Sequence, residues 1–396
     1  MPSNLPPPSL TTMSWTVLSG AREALRDGSA GEPLRNARDA LLAQGRAVAA
    51  LAPVAVTDKP DPGPSGEIRD FYAIGKYAWP DPEHADGLPY LRRDCLINPE
   101  SNSGRYDKAR YDEMVERVRV LALGAFIGDD AELGGGAAAL LRTWFVDPGT
   151  SMTPHLRHAA VLPGVNDGAA IGIIEGAVLV EVLDHVRLLE ADGHWRGADR
   201  DGLRAWMADY AHWLRTSDFG TAEGRMVNNH GSFWLAQVAA AAGYAGTATP
   251  ELVADLAALG RTHLEHQLGP DGSLPEEMAR LDAWQYATYG LRALATEAQV
   301  LAGLGVDQWS YATSDGRSLR LAYEFLLPYL GGAEWPYARV DQDEDNHAGD
   351  HAIAAARIGA IGLADPRVAD AHRRLAATGE PRHVVLAGDV RQGVDA

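Results

Sequence analysis

"RMVNNHGSFWLAQVAAAAG" (Arg225–Gly243) opens polar and closes as a plain apolar helix. Such a helix needs one capping residue at its start. Here Asn228, Asn229 and His230 stand side by side, two amides and an imidazole. Asn228 alone meets the capping need, so the other two groups call for a separate reason.

The same helical spacing recurs on either side. "PLRNARDALLAQGRAVAALA" (Pro33–Ala52) places Leu34, Ala37, Leu41 and Leu42 at helical intervals. Further helices are predicted over Tyr106–Gly128, Ala131–Phe145, Gly168–Ala191, Asp199–Thr216, Pro250–Leu268, Asp282–Gly303, Arg317–Leu330 and from His347 to Ala377. Gly168, Gly172 and Gly176 form a small-residue stripe suited to close helix packing. Period-two alternation is confined to a short tail candidate, "RHVVLAGDV". Stacked helix hairpins of this kind predict an all-α fold, an α/α toroid. A long Pro-, Gly- and aromatic-rich stretch, Val56–Tyr90, interrupts the helices and is long enough to suggest function. The expected layout is an N-terminal extension (1–32, partly disordered), one toroid domain (33–380) and a tail (381–396).

Composition narrows the partners. The chain has 396 residues, 46% hydrophobic, with a formal net charge of −19. That balance argues against nucleic-acid binding, which needs a basic face. No run approaches the ~18 apolar residues of a membrane span. No secretory signal is read at the N-terminus, so the expectation is a cytoplasmic protein, or one exported with a signal outside this sequence. Cys95 is the single cysteine, which rules out an intrachain disulfide and a thiolate zinc cluster. "DQDED" (Asp341–Asp345) begins like a calcium loop but has Asn346 and Ala352 where glycine and glutamate belong. "HLEH" (His263–His266) lacks an evident third ligand. No metal and no cofactor are expected. Only Lys59, Lys76 and Lys108 are lysines, so arginine must supply most of the positive charge of any anion site.

A second polar segment pairs with the first. "PDGSLPEEMARLDAWQYATYGLRAL" (Pro270–Leu294) carries Arg280 and enters a helix with Gln285, Tyr286 and Tyr289. Both segments lie at helix N-terminal ends, which favour anions. Taken singly, Asn228 is a cap, His230 an ordinary histidine and Tyr286 a core tyrosine. Together they match β-elimination from a uronic acid. The C5 proton beside a carboxylate is too weakly acidic to leave unaided. Asn229 and Arg280 suit neutralisation of that carboxylate. His230 or ionised Tyr286 suits the base, and Tyr286 suits the acid that protonates the C4 oxygen. A free tyrosine has a pKa of ~10, so a nearby cation such as Arg280 is needed to favour the phenolate.

With those residues in place, the sequence resembles the alginate lyase family of polysaccharide lyases. "GEIRDFYAIGKYAWPDP", "LPYLRRDCLINPE", "LPGVNDGAAIGIIEG", "NNHGSFW" and "PDGSLPEEMAR…WQYATYGL" are similar to family motifs and stand in the family's order, over roughly Pro33–Leu304. The resemblance implies an α/α toroid and an anionic polysaccharide or oligosaccharide substrate. It implies that Asn229 neutralises the carboxylate, His230 is base or stabiliser, Tyr286 is acid or base, and Arg280 supports it. It also implies substrate contacts from Asn166, Arg92, Arg93, Trp79, Tyr77 and Lys76, with Asn228, Trp234, Gln285 and Tyr289 beside the catalytic groups. Gln285 stands where many relatives have histidine. Two other readings use the same fold: a glycoside hydrolase with two opposed carboxylates, for which Glu276 or Glu277 and Asp282 are available, and a non-catalytic carbohydrate-binding protein.

Overall fold

A computed structural model describes residues 9–340 and 348–388. The expected acidic loop Asp341–Asp345 and the expected frayed ends, up to Pro8 and beyond Gly388, lie outside the described residues.

The helices in chain order are α1 (Trp15–Asp27), α2 (Glu32–Ala49), α3 (Asp107–Gly128), α4 (Ala131–Phe145), α5 (Leu179–Ala191), α6 (Ala198–Thr216), α7 (Asp218–Glu223), α8 (Asn229–Ala245), α9 (Pro250–Gln267), α10 (Pro275–Met278), α11 (Ala283–Gly303), α12 (Leu319–Leu330), α13 (Ala348–Leu363), α14 (Pro366–Ala377) and α15 (Pro381–Ala387). Neighbouring contacts run α3–α5–α8–α11–α13, which makes an inner ring. α4, α6, α9, α12 and α14 pack outside it. The predicted α/α toroid is the observed architecture. Inner helices are apolar almost all round. In α8, Phe233, Leu235, Ala236, Val238 and Ala239 are buried on different faces, as a helix enclosed by others requires. The ring is incomplete between α13 and α3. α15 fills the gap, packing on α2 and α14. α1 and α15 share one apolar cluster with α2 and α3, through Leu18, Leu34, Phe126 and Val385.

Two expectations need correcting. The tail candidate "RHVVLAGDV" is not a strand: Pro381–Ala387 is helical. Pro381 sits at the first helical position, where its missing N–H costs nothing. Burial of Val385 and Leu386 in the shared cluster then overrides the β preference of the valines. The strands lie elsewhere. β1 (Tyr72–Ile74) pairs parallel with β4 (His158–Val161), and β2 (Ala78–Trp79) pairs antiparallel with β3 (Leu91–Arg92). The longest has 4 residues, too few for alternation to show. Of the glycine stripe, in turn, Gly172 and Gly176 lie in a 3-10 segment, Ala170–Val178, that precedes α5, and Gly168 lies just before it. Close approach is still its purpose. A Cβ on Gly172 would stand 2.6 Å from the Ala159 Cβ on β4, and one on Gly176 only 2.2 Å from the Tyr210 hydroxyl.

The aromatic stretch Val56–Tyr90 is tied to the ring by a buried ion pair. Lys59 Nζ lies 2.9 Å from Asp107 Oδ2 at the start of α3. It also donates to the carbonyls of Val56, Ile68 and Asp70 at 2.9, 2.6 and 2.8 Å. Satisfying a buried ammonium this fully is what makes it tolerable. The loop that follows, with Lys76, Tyr77 and Trp79, is thereby laid across the mouth of the ring.

Candidate active site

The polar residues of the α8 entrance are held by two buried carboxylates. Asn228 caps the helix, its side chain accepting from the His230 N–H at 3.1 Å. The chain approaches itself so closely here that a Cβ on Gly231 would fall 1.9 Å from the Met226 carbonyl oxygen. Asn229 donates from its backbone N and from Nδ2 to Glu277 Oε1, at 2.9 and 2.7 Å. Burial pushes the Glu277 carboxyl up, against the two hydrogen bonds from Asn229. His230 Nδ1 lies 2.6 Å from Glu223 Oε1. A carboxylate acceptor places the ring proton on Nδ1 and leaves Nε2 with its lone pair.

Tyr286 enters from the first turn of α11, whose cap Asp282 accepts from the Gln285 N–H at 3.1 Å. Its hydroxyl lies 2.8 Å from that of Tyr77 and accepts from Arg280 Nη2 at 2.9 Å. The guanidinium also stacks 3.8 Å from the centroid of the Tyr286 ring. Arg280 is itself fixed by a bidentate pair to Asp94, at 3.0 and 2.6 Å. The expected stabilisation of phenolate by Arg280 is outweighed. Burial first, and the Tyr77 hydroxyl second, push the Tyr286 phenol well above its ordinary value despite Arg280. Tyr286 therefore stays protonated at neutral pH, the form a general acid needs.

Tyr77, Asn229, His230, Arg280 and Tyr286 line one cavity of about 510 Å³ inside the ring, within the ~300–1,000 Å³ typical of ligand sites. Lys76, Arg92, Asn166, Gln285 and Tyr289 line it as well. Asn166 is at its rim, its Oδ1 accepting from the Leu162 and Gly168 N–H groups. Tyr289 stands one turn deeper, between Phe233 and His351, at centroid distances of 4.8 and 4.5 Å.

Four expected contacts do not line it. Trp234 points from α8 towards the α6–α7 turn, donating to the Leu214 carbonyl and packing on Gly224. Asn228 spends its oxygen on the helix cap. Trp79 donates to the Leu96 carbonyl, and the Arg93 guanidinium sits 5.7 Å above its ring. Ala78 and Trp79, adjacent in β2, face opposite ways, and Arg92, the last residue of β3, lines the cavity where Arg93 beyond it does not.

Sequence reasoning missed Glu223 and Asp94 and gave Glu277 another task. Of the carboxylates proposed for a hydrolase, Glu277 holds Asn229, Asp282 caps α11, and Glu276 is exposed outside the cavity. Asp94 adjoins the quoted Arg92–Arg93 pair, but its partner lies 186 positions away. Local spacing carries no sign of such a contact.

The alginate lyase family model matches residues 55–335. The chain belongs to the alginate lyase family. It is a polysaccharide lyase, and the family match extends past Leu304, where the quoted motifs stop. An alginate lyase from Bacteroides ovatus is 27% identical and superposes with a TM-score of 0.85, covering 96% of this chain and 99% of that one. Alginate lyase A1-III from Sphingomonas species A1, at 16% identity and a TM-score of 0.52, shares the fold over 96% of each chain. A form of A1-III complexed with tetrasaccharide is 15% identical, with a TM-score of 0.55 over 95% of this chain and 94% of that one. No curated protein matches.

Proposed function

We propose that this lyase cleaves a 1,4-linked polyuronide, of alginate or glucuronan type, by β-elimination. The observation that carries this reading is the Tyr286 hydroxyl, set by Arg280 and Tyr77, in one cavity with the His230 ring that Glu223 orients. Asn229 presents its remaining Nδ2–H to the uronate carboxylate, where enolate charge develops. His230 Nε2 takes the C5 proton. The C5–H electrons form the C4–C5 double bond, the C4–O bond breaks, and Tyr286 gives its proton to the departing oxygen. Arg280 then faces the new phenolate and stabilises it until the proton returns from the histidine through solvent. The neighbour complexed with tetrasaccharide supports an anionic oligosaccharide as ligand.

The test is a panel of polymannuronate, polyguluronate and glucuronan, followed by ultraviolet absorbance of the 4,5-unsaturated uronate. Growth of that band on at least one polymer is expected. Reducing ends appearing without it point to a hydrolase, and no cleavage of any polymer points to a binding protein.

A further inference from the structure

The cavity does not end at Tyr286. Arg292 lies six residues further along α11, about 9 Å deeper at ~1.5 Å per residue. Between them the wall is apolar, with Phe233, Ile174 and Tyr289. Beyond this waist four guanidinium groups converge from four helices: Arg119 from α3, Arg292 from α11, Arg357 from α13 and Arg382 from α15.

Among the described residues, three carboxylates partner these four guanidinium groups, and only one of them is buried. Arg119, Arg292 and Arg357 all look to one buried carboxylate, Glu181 on α5, at 3.0, 3.7 and 3.8 Å. Glu116, half exposed, meets Arg119 and Arg382, and exposed Glu380 meets Arg382 from outside. Asp350 lies 3.6 Å from His383. The Arg357 guanidinium is pushed down by its burial, and its arginine neighbours oppose the help from Glu181. Unsatisfied donors point the same way. His383 lines the cavity and is 5% exposed, yet neither ring nitrogen has a hydrogen-bond partner among the described residues, and Arg119 Nε has none either. Buried donors without partners are costly, so the site is built for a guest.

The end is also closed. Arg357 Nε donates to the Thr12 carbonyl at 2.7 Å. Thr11 and Thr12 are pinned by their N–H groups to buried Asp184 at 2.8 and 2.6 Å. α15 stops the gap between α13 and α3. A polymer therefore cannot run through the ring.

We propose that this arginine cage receives the carboxylate of a chain-terminal uronate, so that the enzyme works from chain ends and favours short oligouronates. The cage is separated from Tyr286 by a distance that a disaccharide spans, and this rests on the polyuronide reading above. Cleavage of the preferred polymer is then followed by product size. Short products of one length from the first turnovers are expected, with little early loss of viscosity. A broad ladder of oligomers with rapid viscosity loss overturns the inference and leaves the lyase reading intact. Absence of the unsaturated product on every polymer overturns both.

The second arm is calorimetry of saturated mannuronate and guluronate trimers with Tyr286→Phe enzyme, alone and combined with Arg292→Gln. Arg292 is half-buried, lies 3.7 Å from Glu181 and meets His351 Nδ1 at 3.2 Å, so it holds no carboxylate at hydrogen-bond distance and glutamine can keep a donor there. Binding should weaken about ten- to hundred-fold, the worth of a hydrogen bond to a charged group. Equal trimer binding by both proteins, with matching melting temperatures, rules out the cage as a carboxylate site.

Discussion

Tyr286→Phe keeps the ring, its packing and its stacking under Arg280, and deletes one hydroxyl. That hydroxyl is the proton source assigned to the leaving oxygen. General acids contribute ~10²–10⁴-fold, so kcat should fall by that factor, or ~3–5.5 kcal/mol of barrier. The folding cost is far smaller. Tyr77 loses its partner at 2.8 Å and Arg280 one of its acceptors at 2.9 Å. Arg280 keeps both bonds to Asp94, and the Tyr77 hydroxyl faces a cavity that water can enter. At ~0.5–1.5 kcal/mol per hydrogen bond, the melting temperature should drop by only a few degrees. The rate is read from absorbance of the unsaturated product under saturating substrate. A uronate carrying nitrophenolate at C4 separates acid from base, because that group departs without a proton. The variant should regain most of the wild-type rate on it. Failure of this rescue refutes the acid assignment. Near wild-type turnover on every cleaved polyuronide refutes the mechanism, and Tyr289 becomes the candidate.

Glu223→Gln should lower kcat about ten-fold or more, because His230 loses the carboxylate that orients its ring through Nδ1; an unchanged kcat removes Glu223 from the mechanism. His230→Ala should also lower kcat. A residual rate far above that of Tyr286→Phe would favour a syn elimination in which tyrosine does both jobs, as for mannuronate- or glucuronate-type units. Arg92→Ala should raise KM more than it lowers kcat, whereas Arg93→Ala, lying outside the cavity over Trp79, should leave both near wild type; the reverse order in steady-state kinetics contradicts the cavity assignment. Stability should fall in mild acid. His185 and His372 are buried and neutral, with burial holding them down at about 4 and about 3. Unfolding lets each bind a proton near pH ~6.5, so their contribution is whole above that value and lost as the pH falls towards 4. His185 alone is worth on the order of 3 kcal/mol across that window. Melting temperature should decline from pH 7 to 4, and His185→Gln should flatten the decline; equal slopes rule this histidine out.

What was legible in the sequence was whatever one helix reveals by itself. Asn228–His230 stood out because three polar groups exceed one cap's need. Arg280 and Tyr286 stood out because they share one turn-and-helix entrance. The valines of the tail misled because their β preference is local, while the cluster that made them helical joins residues from Leu10 to Leu386. Of the arginine pair in "LRRDC", only the strand register decides which member faces inward, and a strand of 2 residues gives no periodicity from which to read it.

The inner arginines show the same limit more sharply. "AIAAARIGAIG" places a lone charge, Arg357, in an apolar helical run, and "VLVEVLDHVRLL" sets Glu181 among valines and leucines, with Asp184, His185 and Arg187 following. A charge in such a run is never left unpaired in a core, so each one was a signal that partners lie across an interior. The partners, however, come from α3, α5, α11, α13 and α15, and no one helix shows more than its own one or two members. Along α13 the cavity-lining residues include His351, Ala354 and Arg357, and along α11 they include Tyr286, Tyr289 and Arg292. Each set follows the three-to-four spacing of one helix face. Apolar runs punctured by polar residues at that spacing, on several helices of one predicted toroid, are therefore the sequence mark of a lined lumen. Reading them helix by helix yields isolated anomalies, and only superposing the faces turns four anomalies into one site.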